Sequence, residues 1–284
     1  MTRIFVLNLR GNVIGDSVKE SSLFRFLKER TTDAYIATNG STVTRELHKH
    51  NPDVDEFIYT PDLDILTSDA SKLKKAMAMK KAMGQLKDLL KTYEVVVWTS
   101  MRKPSLMPGI RKKRLLLKEA MPYKKFPCKM HFTKKEETDA KKLVKGKGKK
   151  IALNIESKDL KRCWGIEDYK KLIDELLKKK YKIYLLGTDK EYNEPITKKY
   201  GKKITNLVGK TNIRETALVI KNMNLYIGND SGLSHVAAAV DTNSITIFMG
   251  THTDILNDKS KCKAVKLTDP LMGTILEEVQ ACTD

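Results

Sequence analysis

The run GNDSGLSHVAAAV, Gly228 to Val240, sets an acid, a small hydroxyl, a glycine and an imidazole at the head of a short apolar helix. A strand reading LYIGND ends at Asn229-Asp230, and the helix begins around Ser231, Gly232 and Leu233. Backbone N–H groups and the positive end of the helix dipole converge there, which suits an anion such as a phosphate. Ser231 and Gly232 carry little bulk, so a phosphate could approach the backbone closely. Asp230 cannot favour a phosphate electrostatically; it could accept from the hydroxyls of an attached sugar, or cap the helix. His235 on the first turn could reach a phosphate or ribose oxygen. The alternative is a plain helix, N-capped by Asp230 or Ser231 and packed through Ala237–Ala239.

Two other stretches could do complementary chemistry. In DLKRCWGIEDYKKL, Lys161 and Arg162 precede Trp164 and Tyr169, and a guanidinium can grip a phosphate through two parallel hydrogen bonds. An exposed basic pair before a helix is the competing reading. In LRGNVIGDSVKESS, Gly15-Asp16 opens a helix just after the first strand. An aspartate there is often a cap, but on a glycine-bearing loop it is also placed to act as a general base. The acidic pairs DVD, Asp53–Asp55, and DLD, Asp62–Asp64, flank a strand and read as loop and cap residues, with no metal expected.

The elements that must position these residues alternate. Strands are expected at RIFVLNL, DAYIATNG, DEFIYT, EVVVWTS and KRLLLKEA, with helices over Asp16–Glu29, Ser41–His50 and Ser68–Thr92. A second series has strands at KIALNIES, KIYLLGT, ITNLVG, LYIGND and SITIFMG, with helices near Glu167–Lys180, Lys190–Tyr200, Ile213–Lys221 and Leu233–Val240. Such alternation predicts an α/β protein with parallel sheets covered on both faces, here two doubly wound Rossmann-like lobes. The stretch LVKGKGKK, Leu143–Lys150, reads as the linker, giving lobes over residues 1–146 and 147–284. Lobes of this kind bind ligands at the carboxyl ends of their strands, in a cleft between them.

Composition narrows the class. In 284 residues, 40% are hydrophobic and 31% charged, and no apolar run approaches the ~20 residues that cross a bilayer. The N-terminus reads as a buried strand rather than a signal peptide. The four cysteines show no CxxC spacing, which fits reduced thiols in a cytoplasm. A formal charge of +19 calls for a polyanionic neighbour: nucleic acid, an anionic membrane face or a phosphorylated glycolipid. Lysine-rich runs also serve as the solvated faces of helices. Aromatic residues do not interleave with the basic clusters and no nucleic-acid-binding motif is present, so nucleic acid is not the expected partner.

The stretch from Asn206 to Gly250 resembles glycosyltransferase family nine, the bacterial heptosyltransferases. It carries Gly209-Lys210-Thr211 at a strand end, a helix, and then Asn229-Asp230-Ser231-Gly232 with His235 and an alanine run. The family's K-x-W-P-x-x-x-aromatic run is matched by Arg162, Trp164 and Tyr169, with arginine for lysine and Gly165 for proline. Its R-x-S-S-x-G-D loop is matched by Arg10 and Gly15-Asp16, with Asn12 and Val13 for the serines.

The resemblance implies a GT-B-type fold and an inverting, metal-independent transfer of heptose from ADP-heptose to a lipopolysaccharide inner-core acceptor. It casts Asp16 as the catalytic base and Arg10 and Asn12 as acceptor-side residues. It casts Arg162, Lys161, Thr188, Lys210, Asp230, Ser231, Gly232, Leu233 and His235 as donor-binding. The sole small-molecule requirement is then the ADP-sugar donor, with no metal or other cofactor. The partners are a phosphorylated glycolipid and the anionic inner-membrane surface, met by bases at KKAMAMKKAM, Arg102–Pro104 and Arg111–Arg114, on a cytoplasmic protein peripheral to that membrane. The resemblance thins between Leu63 and Leu90, and MGTHTD, Met249–Asp254, lacks the usual proline. LMGTILEEVQACTD is the candidate for a C-terminal helix that crosses back to the first lobe. Another nucleotide sugar, a protein or other glycan acceptor, or a non-catalytic nucleic-acid-binding relative are the rival readings.

Overall fold

The computed structural model describes residues 1–98, 114–116, 126–249, 262–266 and 271–283. Two compact units divide the chain, Met1–His131 and Phe132–Asp284.

The first unit holds a five-stranded sheet of β1 (Thr2–Leu7), β2 (Ala34–Gly40), β3 (Glu56–Tyr59), β4 (Val95–Trp98) and β5 (Arg114–Leu116). The order is β3-β2-β1-β4-β5 and every pairing is parallel. Helices α1 (Ile14–Arg30), α2 (Thr42–His48) and α3 (Lys72–Leu90) provide the crossovers. Strand β1 reads TRIFVL with its last four residues buried; a parallel strand covered on both faces has no solvent side to alternate with. One face packs Ile4 and Val6 against Leu23, Phe24 and Leu27 of α1. The other packs Phe5 and Leu7 against Leu86 and Leu90 of α3.

The second unit holds β6 (Lys150–Asn154), β7 (Lys182–Leu186), β8 (Thr205–Asn206), β9 (Leu225–Asn229), β10 (Ser244–Phe248) and β11 (Cys262–Lys266). Their order is β11-β10-β9-β6-β7-β8, again all parallel. Helices α4 (Lys134–Lys141), α5 (Ile166–Lys178), α6 (Lys190–Tyr200), α7 (Ile213–Lys221), α8 (Gly232–Ala239) and α9 (Leu271–Thr283) surround it. In both sheets the strand order reverses beside the first strand, between β1 and β4 and between β6 and β9. The carboxyl ends of those strands are where such sheets bind ligands.

Several features differ from the sequence expectation. Helix α4 has no counterpart in it, and this helix moves the division between units ahead of the lysine–glycine stretch. Arg214 of α7, whose side chain is 5% exposed, makes paired bonds of 2.6 and 3.0 Å to Glu136 of α4. Lys221 reaches Glu137 at 2.6 Å, and Phe132 lies under both cations. Residues 143–149 thus connect α4 to β6 inside the second unit. Helix α9 places Ile275 and Val279 in that unit's core, and Tyr181 and Thr283 share a 2.8 Å hydroxyl bond. The expected helix over 68–92 is shorter, running from Lys72 to Leu90: the Ser71 hydroxyl caps it by accepting from the Lys74 amide, and Pro61–Thr67 forms a separate 3₁₀ turn ahead of it. Strand β11 is a further addition to the expected series.

Candidate active site

In the second unit the carboxyl ends of β6 and β9 each finish on a buried asparagine. Asn229 is fully buried and joins three segments. Its Oδ1 accepts from the Trp164 amide at 3.1 Å and the Tyr169 hydroxyl at 2.9 Å, while its Nδ2 donates to the Ile155 carbonyl at 2.7 Å. The Trp164 and Tyr169 rings meet edge to face, centroids 5.1 Å apart. Burial raises the Tyr169 hydroxyl well above its ordinary pKa, so at neutral pH it remains a donor. The tryptophan–tyrosine spacing is therefore a clamp that ties the segment carrying Arg162 to the end of β9.

Gly165 stands between the clamp and α5 with φ +104°, a conformation closed to proline, whose ring fixes φ near about −65°. A proline at this position would require a different backbone path.

Arg162 donates from Nη1 to Asp230 Oδ2 at 3.1 Å, and its Nε lies 3.7 Å from Asp159. Asp230 gives one carboxylate oxygen to this ion pair and does not cap α8. Ser231 occupies the N-cap position but makes no capping bond; its hydroxyl donates to Asn154 Oδ1 at 3.1 Å. The backbone N–H groups of Ser231, Gly232 and Leu233 have no hydrogen-bond partner among the described residues. A guanidinium and three unspent amides therefore lie at one helix start, with Asp230 holding the guanidinium there. Beneath them the Tyr226 hydroxyl is buried, and burial raises its pKa. A Cβ on Gly228 would collide with that hydroxyl.

A residue missed in the sequence is Glu156. Its carboxylate accepts from the Thr188 amide at 2.6 Å, the Thr188 hydroxyl at 3.0 Å, the Asp189 amide at 3.0 Å and Asn193 Nδ2 at 2.8 Å. It also excludes any side chain at Gly187. Thr188 is thus already engaged by a protein carboxylate. Nothing in the sequence pairs Glu156 with residues more than thirty positions on; the sole signal is a lone acid at a strand's carboxyl end. Lys210 folds back to the Asn206 carbonyl at 2.9 Å. Lys161 is exposed, and His235 is half-buried on the first turn of α8.

In the first unit, Asp16 lies in the first turn of α1 and pairs with Arg10. The α1 N-cap is Val13, with no side-chain cap, so Asp16 is not a capping residue. The loop between them is braced from below. Asn8 Oδ1 accepts from the Arg10 amide at 2.9 Å, and Asn8 Nδ2 donates to Glu20 at 3.0 Å. Glu20 in turn meets His48 at 3.3 Å, all three side chains being buried. Gly11 has φ +70°, and a Cβ there would strike the Leu63 carbonyl. Asn12 is itself a brace: its amide donates to Thr67 at 3.2 Å, and its Oδ1 accepts from the Val43 amide at 3.3 Å.

Residues 68–265 match the family model for glycosyltransferase family 9 (heptosyltransferase). The chain belongs to glycosyltransferase family 9. Lipooligosaccharide heptosyltransferase 2 of Haemophilus influenzae is 33% identical over 106 residues, 34% of this chain and 31% of that protein. The matched stretch thus spans about a third of the curated relative's length. The fold agrees over much more. The structure of E. coli ADP-heptose LPS heptosyltransferase II superposes with TM-score 0.72 at 18% identity, covering 100% of this chain and 98% of that one. E. coli heptosyltransferase WaaC with ADP-2-deoxy-2-fluoro heptose gives 0.68 at 14% identity, covering 99% of each. These likenesses make the fold that of the GT-B heptosyltransferases.

No group of three or more potential metal ligands occurs among the described residues. Gly250–Asp254 of the MGTHTD stretch, Arg102–Pro104 and Arg111–Lys113 lie outside them.

Proposed function

We propose that the protein is an inverting glycosyltransferase that moves heptose from ADP-heptose to a lipopolysaccharide inner-core acceptor. The observation that carries this reading is the start of α8. There Arg162, fixed by Asp230, accompanies the amides of Ser231, Gly232 and Leu233, a set suited to the diphosphate of a nucleotide sugar. Family membership and the ADP-sugar analogue held by a structural neighbour support the choice of donor.

In this mechanism the acceptor hydroxyl oxygen attacks the anomeric carbon from the face opposite the leaving group. Asp16 takes the hydroxyl proton while Arg10 orients the carboxylate. The bond from the anomeric carbon to the diphosphate oxygen breaks, and its electron pair leaves with ADP. Arg162 and the α8 amides stabilise that developing charge, a role that needs no metal. An oxocarbenium-like transition state follows by analogy with glycoside hydrolysis. Asp230 keeps one carboxylate oxygen for a sugar hydroxyl while the other holds Arg162. Lys161, Thr188, Lys210 and His235 are proposed donor contacts around this grip, and Asn12 an acceptor-side residue.

The glycolipid acceptor places the protein at an anionic membrane face on the cytoplasmic side. Among the described residues no helix is long and apolar enough to cross a membrane.

Calorimetric titration of ADP, UDP and GDP, with a chelator present, tests the donor. The expected result is selective ADP binding, weakened at least about tenfold in Arg162→Ala by loss of a charge-assisted phosphate contact. Preference for another nucleotide would retain the fold and change the donor, and binding of none would sink the reading.

A further inference from the structure

Helix α3 carries two apolar stripes. Ala78, Ala82, Leu86 and Leu90 recur every fourth residue and are buried. Leu73 and Met77 share that spacing but are 71% and 63% exposed. At ~100° per residue they sit about 180° around the helix from the buried stripe, on its outermost line. Lys74, Lys80 and Lys81 flank them, while Lys72 and Lys75 sit on the other faces of the first turn. Of these five lysines only Lys81 meets an acid among the described residues, Asp62 at 3.4 Å.

Local helix energetics do not account for this pattern. Lys72, Lys74 and Lys75 occupy the first turn, where the dipole disfavours cations, and that turn holds no acid. Two apolar side chains pointing to water add nothing to folding.

The position is informative as well. Helix α3 follows β3 and so starts from the carboxyl edge of the first sheet, the edge that also carries Asp16. Val13 and Tyr59, two more of the exposed large apolar residues, belong to the same edge.

We infer that the outward face of the first half of α3 docks this unit on an anionic lipid bilayer. Leu73 and Met77 enter the boundary between headgroups and acyl chains, and Lys74, Lys80 and Lys81 lie among acidic headgroups. The inference deepens the proposed function, and rests on it only in taking the acceptor to be membrane-borne. A second copy of the chain fits poorly, since a two-fold contact would set these lysines against themselves. A protein partner fits poorly too, because two apolar side chains are far less than a stable interface buries.

Flotation of the full chain with vesicles tests this. The compositions are phosphatidylcholine alone and phosphatidylcholine with an equal part of phosphatidylglycerol. Wild type should bind the acidic vesicles and be released by salt. The double variant Leu73→Ser, Met77→Ser should bind about tenfold more weakly, and Lys74→Gln and Lys80→Gln should each cost about fivefold. Lys179→Gln with Lys180→Gln, on the second unit, should leave binding unchanged. Circular dichroism on each variant shows that the chain is folded. Failure of the wild type to bind ADP would strike the donor reading without touching the docking face.

Equal binding to neutral and acidic vesicles would overturn the inference. So would α3 variants that bind like wild type, or second-unit lysine variants that lose as much. A concentration-dependent dimer abolished by Leu73→Ser, without vesicle binding, would assign the face to a second copy instead.

Discussion

Asp16 in the first unit and Arg162 in the second occupy the same topological place, a loop leaving the first strand of a doubly wound sheet. They are held in opposite ways. Arg162 is fixed through groups that the two motifs supply: Asp230 pairs with it, and Trp164 and Tyr169 beside it are gathered on Asn229. Asp16 has a motif partner in Arg10, but the brace behind that partner comes from residues that no motif contains. Its partner Arg10 is braced by Asn8, and Asn8 rests on Glu20 and Asn39. The proposed donor-side grip joins two motifs that lie some sixty residues apart in the chain. The base-side loop is underwritten by a buried polar network that belongs to this unit's own core.

The largest expected effect separates the two loops by their roles. Asp16→Asn should lower kcat by about 10²–10⁴-fold, the range for losing a general base, while ADP affinity stays as in wild type. Steady-state kinetics beside calorimetry would show it, and a parallel loss of ADP binding would mean that the loops do not divide the work in this way.

Next comes the clamp. Asn229→Ala leaves the Trp164 amide buried without a partner, takes the Nδ2 donor from the Ile155 carbonyl and leaves the Tyr169 hydroxyl only its 3.5 Å contact to the Asn154 carbonyl, costing about 3 kcal/mol in denaturant unfolding. A change under ~1 kcal/mol, the size of one ordinary hydrogen bond, would show that the Arg162 segment is held by other contacts.

The smallest concerns a brace away from both loops. The Arg214 guanidinium holds the Glu136 carboxyl down at about 2, against an ordinary 4.5. Since the folded-state value is the lower one, the pair's contribution is fully present above pH ~4.5 and is lost as pH falls through ~2. Glu136→Gln should cost about 2 kcal/mol at neutral pH, and its deficit should vanish between pH ~4.5 and ~2. A deficit independent of pH would mean that the ion pair is not its source.

Legibility in the sequence followed the same divide. Strand and helix alternation predicted both sheets because parallel strands read as short continuous apolar runs, IFVL or IALN, between helices. The stretch from Asn229 to Ala239 and the Trp164–Tyr169 spacing were visible because every residue in them answers to a neighbour in the motif. Glu156 was not, since its partners at Thr188, Asp189 and Asn193 come together only when β6 and β7 pair. The bracing role of Asn12 was hidden as well; its bonds to Thr67 and Val43 depend on segments 55 and 31 residues away. Helix α4 is short and strongly charged, so its docking rests on ion pairs that periodicity does not register.

The joint at Asn229 also fixes an order of events during synthesis. Arg162, Trp164 and Tyr169 leave the ribosome some sixty residues ahead of the side chain that gathers them. Strand β9 must then insert beside β6, on the edge left open when β7 paired with the other. Until it does, the arginine segment has no anchor for its clamp, and a nascent chain stopped before β9 carries the residues of the proposed phosphate grip without the means to hold them. On the proposed function, nucleotide binding would therefore report the insertion of β9 as well as the health of the site.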